Sequence, residues 1–374
     1  MRTKEQDKKV YFITGGGTGG HIYPALAVAN SLKDENKVFY IGNPKKPEAR
    51  LSKENGLEFL PVNISYMPRK INFGAILWLF QLTFAVITTM IYIFKYRPCA
   101  VFATGGYVSA PLLIASIFCR MPFMMHDGDA VPGIVTRKIS SFAKCVSLTF
   151  EDAKKFVKNK NIHFCGNPIR EDFATLNKSE ARKLLNLDNE RFILLVMGGS
   201  QGAKGINSAI VKLYRELTEK YNLSIIHQTG DKNYEEVLKE LDETYSDYKN
   251  NSSIIVKPYF ENSAIPMKAA DIAISRAGSL SISELCASGL ASILVPYPYA
   301  AANHQYKNAK AIEQQGAAFC VEERECLSEE LLNILENLIK DNSLREGLQN
   351  EAMRLARPNA RVEIVELLKG IARE

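Results

Sequence analysis

Apolar residues in this chain gather in short unbroken runs, and between the runs they recur at helical spacing. The first run, Tyr11-Phe12-Ile13, meets five glycines and a threonine within six positions (15–20), followed by a helical pattern opening near Pro24. Similar runs lie at 37–43, 57–63, 99–104, 121–125, 144–150 and 162–164. A second series begins at Phe192 and continues at 223–228, 253–259, 271–275, 291–295 and 317–321. Strands alternating with helical stretches predict parallel sheets with helices on both faces. A length of 374 residues exceeds what one core normally holds, and the glycine-rich turn at 15–20 is repeated at 198–205. The pattern therefore predicts two α/β domains. The expected boundaries are 1–166 and 167–345, with 346–374 as an amphipathic helical tail returning to the first domain. Gly166-Asn167-Pro168-Ile169-Arg170 reads as the hinge.

Residues 71–94 depart from this rhythm. They hold no formal charge and are flanked by Arg69, Lys70, Lys95 and Arg97. Length and hydrophobicity meet the requirement for crossing a bilayer. Against crossing, Asn72, Gln81, Thr83, Thr88 and Thr89 interrupt the stretch, and basic residues on both sides give no orientation signal. Crossing would also part the first strands from the one at 99–104. The expectation is a long helix packed on the sheet, its exposed apolar face dipping into a membrane and its basic ends meeting anionic headgroups.

Composition adds limits. Hydrophobic content of 46% and charged content of 24% are those of an ordinary globular protein. A net charge of +6 suits an anionic ligand or surface but is too small to argue for nucleic acid, and no RNP-like, zinc-finger or basic-helix pattern occurs. The seven cysteines are dispersed and odd in number, which reads as buried thiols of a reducing compartment. The polar start MRTKEQDKK leads straight into a strand without a signal-peptide pattern, so the expected location is cytoplasmic.

Strand, glycine turn and helix in that order place main-chain N–H groups and a positive helix end around one point, which suits a phosphate. Gly15, Gly17 and Gly20 fit GxGxxG, but a nicotinamide site wants an acid closing the second strand, and this one closes on Gly42-Asn43. A second glycine turn, Thr104-Gly105-Gly106-Tyr107, opens a helix on the same sheet edge. The run at 121–125 leads into His126-Asp127-Gly128-Asp129, two carboxylates and an imidazole where open α/β sheets hold ligands. Asp-Gly-Asp could hold a divalent metal beside a nucleotide diphosphate, but such short matches are frequent by chance and an Asp-Gly turn needs no ligand at all. In the second half a further glycine turn, at 276–281, opens a helix that carries Glu284 two turns in.

Six stretches, GGGTGGHIYPALAVA (15–29), TGGYVSAP (104–111), GNPIR (166–170), GGSQGAKGIN (198–207), RAGSLSISE (276–284) and NHQYKNA (303–309), occur in order along the chain. On these, and over essentially its whole length, the chain resembles glycosyltransferase family 28, GT-B enzymes of bacterial peptidoglycan synthesis. The resemblance implies two Rossmann-like parallel-sheet domains facing across a cleft. It implies inverting transfer of N-acetylglucosamine from UDP-GlcNAc to undecaprenyl-pyrophosphoryl-muramoyl-pentapeptide, peripherally at the cytoplasmic face of the membrane, with no cofactor and no metal. The implied donor site lies in the second half. There Ser200 and the amides around Ser279, Leu280 and Ser281 meet the diphosphate, Arg170 adds a charged contact, the backbone of Phe260 reads the uracil edge, Glu284 accepts from the ribose hydroxyls, and Gln305 holds the sugar. The implied acceptor site puts a pyrophosphate among Thr18, Gly19, Gly20 and Tyr107, with His21 as base, or base-orienting group, for the attacking hydroxyl.

The chemistry agrees with these roles. A leaving diphosphate needs stabilisation that helix N-termini and Arg170 can give without metal. The acceptor hydroxyl needs a base that works near neutral pH. The chain departs from the family pattern at 126–129, where His-Glu-x-Asn is expected and His-Asp-Gly-Asp stands. Asp129 is anionic where asparagine would be neutral, which is unwelcome beside a pyrophosphate unless it is protonated or paired. That makes Asp129 a second candidate base. Other readings on the same plan are a lipid glycosyltransferase of the diacylglycerol type, a UDP-sugar epimerase or hydrolase, and a noncatalytic nucleotide-sugar binder docked on a membrane.

Overall fold

The computed structural model describes residues 8–68, 73–188, 190–199 and 202–373. The chain divides into two units, Met1–Ile169 with Asn359–Glu374, and Arg170–Pro358.

Among the described residues the first unit builds a seven-stranded sheet from β1 (Val10–Thr14), β2 (Lys37–Gly42), β3 (Glu58–Pro61), β4 (Ala100–Ala103), β5 (Phe123–Asp127), β6 (Cys145–Leu148) and β7 (Ile162–His163). All pairings are parallel and the order is β3-β2-β1-β4-β5-β6-β7. Chain direction across the sheet reverses between β1 and β4, so the loops after those two strands stand side by side at the carboxyl edge. These loops are the glycine turns at 15–20 and 104–107. Alternation along each strand divides the apolar residues between two faces. Phe12, Phe39, Val101, Phe123 and Met125 pack under α3 (Phe73–Tyr96) and α4 (Ala110–Phe118), while Tyr11, Ile13, Tyr40, Phe102 and Met124 pack under α1 (Gly19–Leu32).

Two local features differ from the sequence reading. Helix α1 opens at Gly19 rather than near Pro24, because Thr18 is extended (φ −141°, ψ 158°) and its carbonyl accepts from the His21 and Ile22 amides at 3.1 Å each. Pro24 thus lies inside the helix, and His21 lies in its first turn. Strand β5 continues through His126 and Asp127, which pair in register with Ser147 and Leu148. Both side chains are buried, so they belong to the interior of the unit and not to its rim.

Helix α3 starts close to where its hydrophobicity begins; residues 69–72, with the basic pair Arg69 and Lys70, lie outside the described residues. Ala85, Val86, Thr89 and Ile93 form a narrow seam against the unit, and Thr89 Oγ1 donates to Pro111 O at 3.2 Å. Most of the rest faces outward: Phe73, Leu77, Phe80, Phe84, Ile91 and Phe94 are all exposed. Only 22% of its most apolar window is buried. By length and composition it could cross a membrane, yet both its ends lead into strands of one sheet.

The second unit repeats the plan with β8 (Ile193–Met197), β9 (Ser224–Gln228), β10 (Ile254–Lys257), β11 (Ile272–Ser275), β12 (Ala291–Leu294) and β13 (Ala318–Cys320). These strands are parallel, in the order β10-β9-β8-β11-β12-β13. The reversal now falls between β8 and β11, again beside two glycine turns, which lead into α5 (Lys204–Val211) and α6 (Ser279–Ser288). Helices α7 (His304–Glu313) and α8 (Asn342–Leu355) complete this unit. The last helix, α9 (Ala360–Ile371), belongs to the first unit, where Ile364, Val365 and Leu368 join the core beneath α1.

Candidate functional site

In the first unit the two glycine turns meet around His21. Its Nδ1 lies 2.8 Å from Thr104 O, and a carbonyl only accepts, so Nδ1 carries the hydrogen. That leaves Nε2 as the nitrogen open to act as a base. Thr104 returns the bond, its hydroxyl donating to His21 O at 2.6 Å. The turns close on each other through Gly106, whose φ is +78° and where a Cβ would lie 2.3 Å from Gly16 O and 3.2 Å from the imidazole. Only glycine fits there. The first amides of α1, those of Gly19 and Gly20, have no partner within the helix and form an anion-seeking end after Thr18.

Tyr107 lies over the first turn, its ring centroid 4.0 Å from that of Tyr66. The Tyr107 hydroxyl is buried without a hydrogen-bond partner among the described residues. Burial, reinforced by Tyr66 and Glu48, pushes it up to about 12, so the hydroxyl keeps its proton. Below it, Glu48 on helix α2 (Pro47–Glu54) is fully buried and accepts from Asn43 N at 3.3 Å.

The 126–129 segment corrects the expectation of a displayed carboxylate pair. His126 is held at both ring nitrogens, by Ser147 Oγ at 3.1 Å and Asn167 Oδ1 at 3.0 Å, and burial lowers it to about 4. Asp127 accepts the amides of Asp129 at 3.2 Å and Gly133 at 3.0 Å, which folds the loop over it. Burial and then Asp129 raise its carboxyl above the usual range. Both oxygens of Asp127 are thus occupied by the chain itself, a poor arrangement for a metal ligand. Asp129 alone of the three stays half-buried at the carboxyl edge.

In the second unit the turn after β8 is closed by Gly202, with φ +76° and a hypothetical Cβ 2.1 Å from Thr229 O. Ser200 lies outside the described residues. The turn after β11 leads through Gly278, extended at φ −67° and ψ 138°, into α6, whose first residues are Ser279, Leu280 and Ser281. Glu284, on the same helix, is 9% exposed and accepts from Ser263 Oγ at 3.3 Å. Burial raises it to about 7, against the opposing pull of Arg170 and Ser263. Arg170 is exposed and donates to Glu261 O at 2.8 Å, next to Phe260. Gln305, at the start of α7, accepts from Tyr297 N at 2.9 Å, which turns its NH₂ to other acceptors.

Two further residues stand among these. Arg276 is buried, donates to Val295 O and Pro296 O at 3.2 Å each, and pairs with Glu323 at 2.5 Å, fixing the segment after β12. Gln228, the last residue of β9, accepts from Phe260 N at 2.9 Å and donates to Gly199 O at 3.3 Å. A polar residue closing a central strand was the available signal for Gln228. Arg276 opens a motif stretch.

Comparison with known proteins decides the family. Residues 11–148 match the glycosyltransferase family 28 N-terminal domain and residues 193–364 the family's C-terminal domain. A relative from Halothermothrix orenii, named UDP-N-acetylglucosamine–N-acetylmuramyl-(pentapeptide) pyrophosphoryl-undecaprenol N-acetylglucosamine transferase, is 35% identical over 96% of this chain and 98% of its own. The chain belongs to glycosyltransferase family 28. A Desulforamulus reducens member of the same name is also 35% identical, over 96% of this chain and 98% of its own. The crystal structure of Acinetobacter baumannii MurG superposes with a TM-score of 0.77 at 26% identity, covering 97% of this chain and 99% of that one. The GT-B expectation of two parallel-sheet domains therefore holds for this family 28 chain.

Proposed function

We propose that this protein is the inverting hexosyltransferase that moves N-acetylglucosamine from UDP-GlcNAc to undecaprenyl-pyrophosphoryl-MurNAc-pentapeptide, converting lipid I to lipid II in peptidoglycan synthesis. The observation that carries this reading is full-length kinship at 35% identity with transferases named for that reaction. Neither a diacylglycerol glycosyltransferase nor an epimerase or hydrolase has comparable support.

The second unit takes the donor. Uracil is read by the backbone at Phe260, and the ribose hydroxyls donate to Glu284. The diphosphate meets the N-termini of α5 and α6, with Ser200, Ser279, Leu280, Ser281 and Arg170, and Gln305 donates to the sugar. The first unit takes the acceptor pyrophosphate at Thr18, Gly19, Gly20 and Tyr107. His21 Nε2 removes the proton from the acceptor hydroxyl as its oxygen forms the new bond to the anomeric carbon. The bond from that carbon to the diphosphate breaks, and the electron pair leaves on UDP. Its charge is spread over main-chain amides and the guanidinium. Attack opposite the leaving group turns an α-linked donor into a β product.

The assay is purified protein with UDP-GlcNAc and a lipid-pyrophosphate muramoyl-peptide, with and without EDTA. Product that forms undiminished in EDTA is the expected result. UDP release without acceptor would mean hydrolysis, and loss in EDTA would restore a metal role near Asp129.

Membrane association through α3 belongs to the same proposal, at the cytoplasmic face. The outward Phe, Leu and Ile side chains would enter the headgroup boundary, with Lys95 and Arg97 near anionic lipid. Leu79 is 58% exposed, so Leu79→Glu removes no core contact. The variant is expected to move to the soluble fraction with an unchanged melting temperature. Global unfolding would instead mark α3 as core.

A further inference from the structure

Gln228 holds a position that the substrate roles above leave without a purpose. Strand β9 runs between β8 and β10, and its final residue is in register with Met197 on one side and Lys257 on the other. The loops that leave those neighbours carry Gly199 and Phe260. The Gln228 side chain reaches both, Nε2 donating to Gly199 O at 3.3 Å and Oε1 accepting from Phe260 N at 2.9 Å. Gln228 is 1% exposed, so neither bond exchanges cheaply with water. Gly199 has φ +80° and open space where a Cβ would sit, so its carbonyl is placed by hydrogen bonds, from Gly202 N at 3.1 Å and from Gln228, and not by a side chain of its own.

We infer that Gln228 is a positioning residue that sets the spacing between the phosphate turn and the nucleobase segment, making the donor site selective for a ligand that spans both. This rests on the donor reading above, and it assigns Gln228 no contact with the reacting atoms. A carboxamide is planar and rigid, so one group bonded at both ends fixes the relative positions of the Gly199 carbonyl and the Phe260 amide. A ligand that touches only one end is indifferent to that spacing. A nucleoside diphosphate, which occupies both ends at once, binds a preorganised pair and avoids the cost of ordering it.

The test compares UDP with uridine and with inorganic pyrophosphate, each titrated calorimetrically into the full-length protein and into Gln228→Met, which keeps the length and removes both hydrogen bonds. Expected is a rise in the UDP dissociation constant of about tenfold, with uridine and pyrophosphate each changing less than about twofold. The KM for UDP-GlcNAc should rise in parallel while kcat and the KM for acceptor hold. Equal losses for UDP and uridine would reduce Gln228 to ordinary support of the base pocket and overturn the inference, as would no change. Should the variant not fold, hydrogen exchange of the wild-type 254–262 segment decides. At saturating ligand, UDP must slow it more than uridine does, since only UDP engages both ends, and equal slowing overturns the inference. Wild-type protein that binds UDP without this selectivity sinks the spacing role alone. Failure to bind UDP at all sinks the donor reading beneath it.

Discussion

Replacing His21 by alanine is expected to lower kcat by about 10²–10⁴ while UDP affinity stays within about twofold. The ring has no structural task that would explain such a loss. Its Nδ1–H satisfies Thr104 O, and the second turn closes mainly through the fit of Gly106 on Gly16. What alanine removes is the Nε2 that the hydrogen bond to Thr104 leaves open, in the first turn of α1. The rival base is tested in the same assay with Asp129→Asn. That change restores the residue of the family pattern and removes a negative charge from the rim that receives a pyrophosphate. It should lower the KM for acceptor and leave kcat largely intact. A loss as deep as that of His21→Ala would move the proton transfer to Asp129.

The second large effect concerns Glu284, where stability and binding pull in opposite directions. Its carboxyl is raised from 4.5 to about 7, chiefly by burial. Between those two pH values the folded chain keeps a proton that the unfolded chain has released. Stability therefore falls as pH rises through this window and is lowest above about 7, where the buried carboxylate costs of order 3 kcal/mol. Glu284→Gln removes that cost, so the variant should melt several degrees higher than wild type at pH 8 and close to it at pH 4. Ribose hydroxyls, however, donate to the carboxylate. At pH 8 the variant should bind UDP about 10–100-fold more weakly, the range for hydrogen bonds to a charged group. Wild-type UDP affinity should decline below pH 7, by about tenfold per unit once the group is protonated, and the variant should show no such slope. Calorimetry in buffers of different ionisation enthalpy would register the proton released on binding near pH 7. A wild-type affinity that is flat from pH 5 to 8 would remove Glu284 from the ribose.

The strands were legible because a parallel strand buried on both faces is an unbroken apolar run, as in the five buried residues of β8. The glycine turns were legible because positive φ at Gly106 and Gly202 admits little else. What sequence left open depends on atoms far along the chain. Nothing around His126 announces Ser147 and Asn167, which turn an imidazole expected at the ligand-holding edge into a core residue. The opening of α1 at Gly19 runs against helix propensity and follows from the fit of the two turns. Gln228 was hidden for the same reason, since both its partners belong to other loops. The tail read as one segment because α8 and α9 are both amphipathic, and amphipathicity does not say which apolar surface a helix will cover.

Helix α9 has a consequence for biosynthesis. Its residues Ile364, Val365 and Leu368 finish a core begun by Tyr11 and Ile13, and Arg361 reaches back to Ser31 at 2.9 Å. The ribosome therefore delivers every part of the Arg170–Pro358 unit before the last piece of the one that was started first. Completion runs opposite to translation. A nascent chain short of residue 360 carries an amino-terminal sheet with one face half bare, the kind of surface that holdase chaperones bind and that aggregates if left waiting.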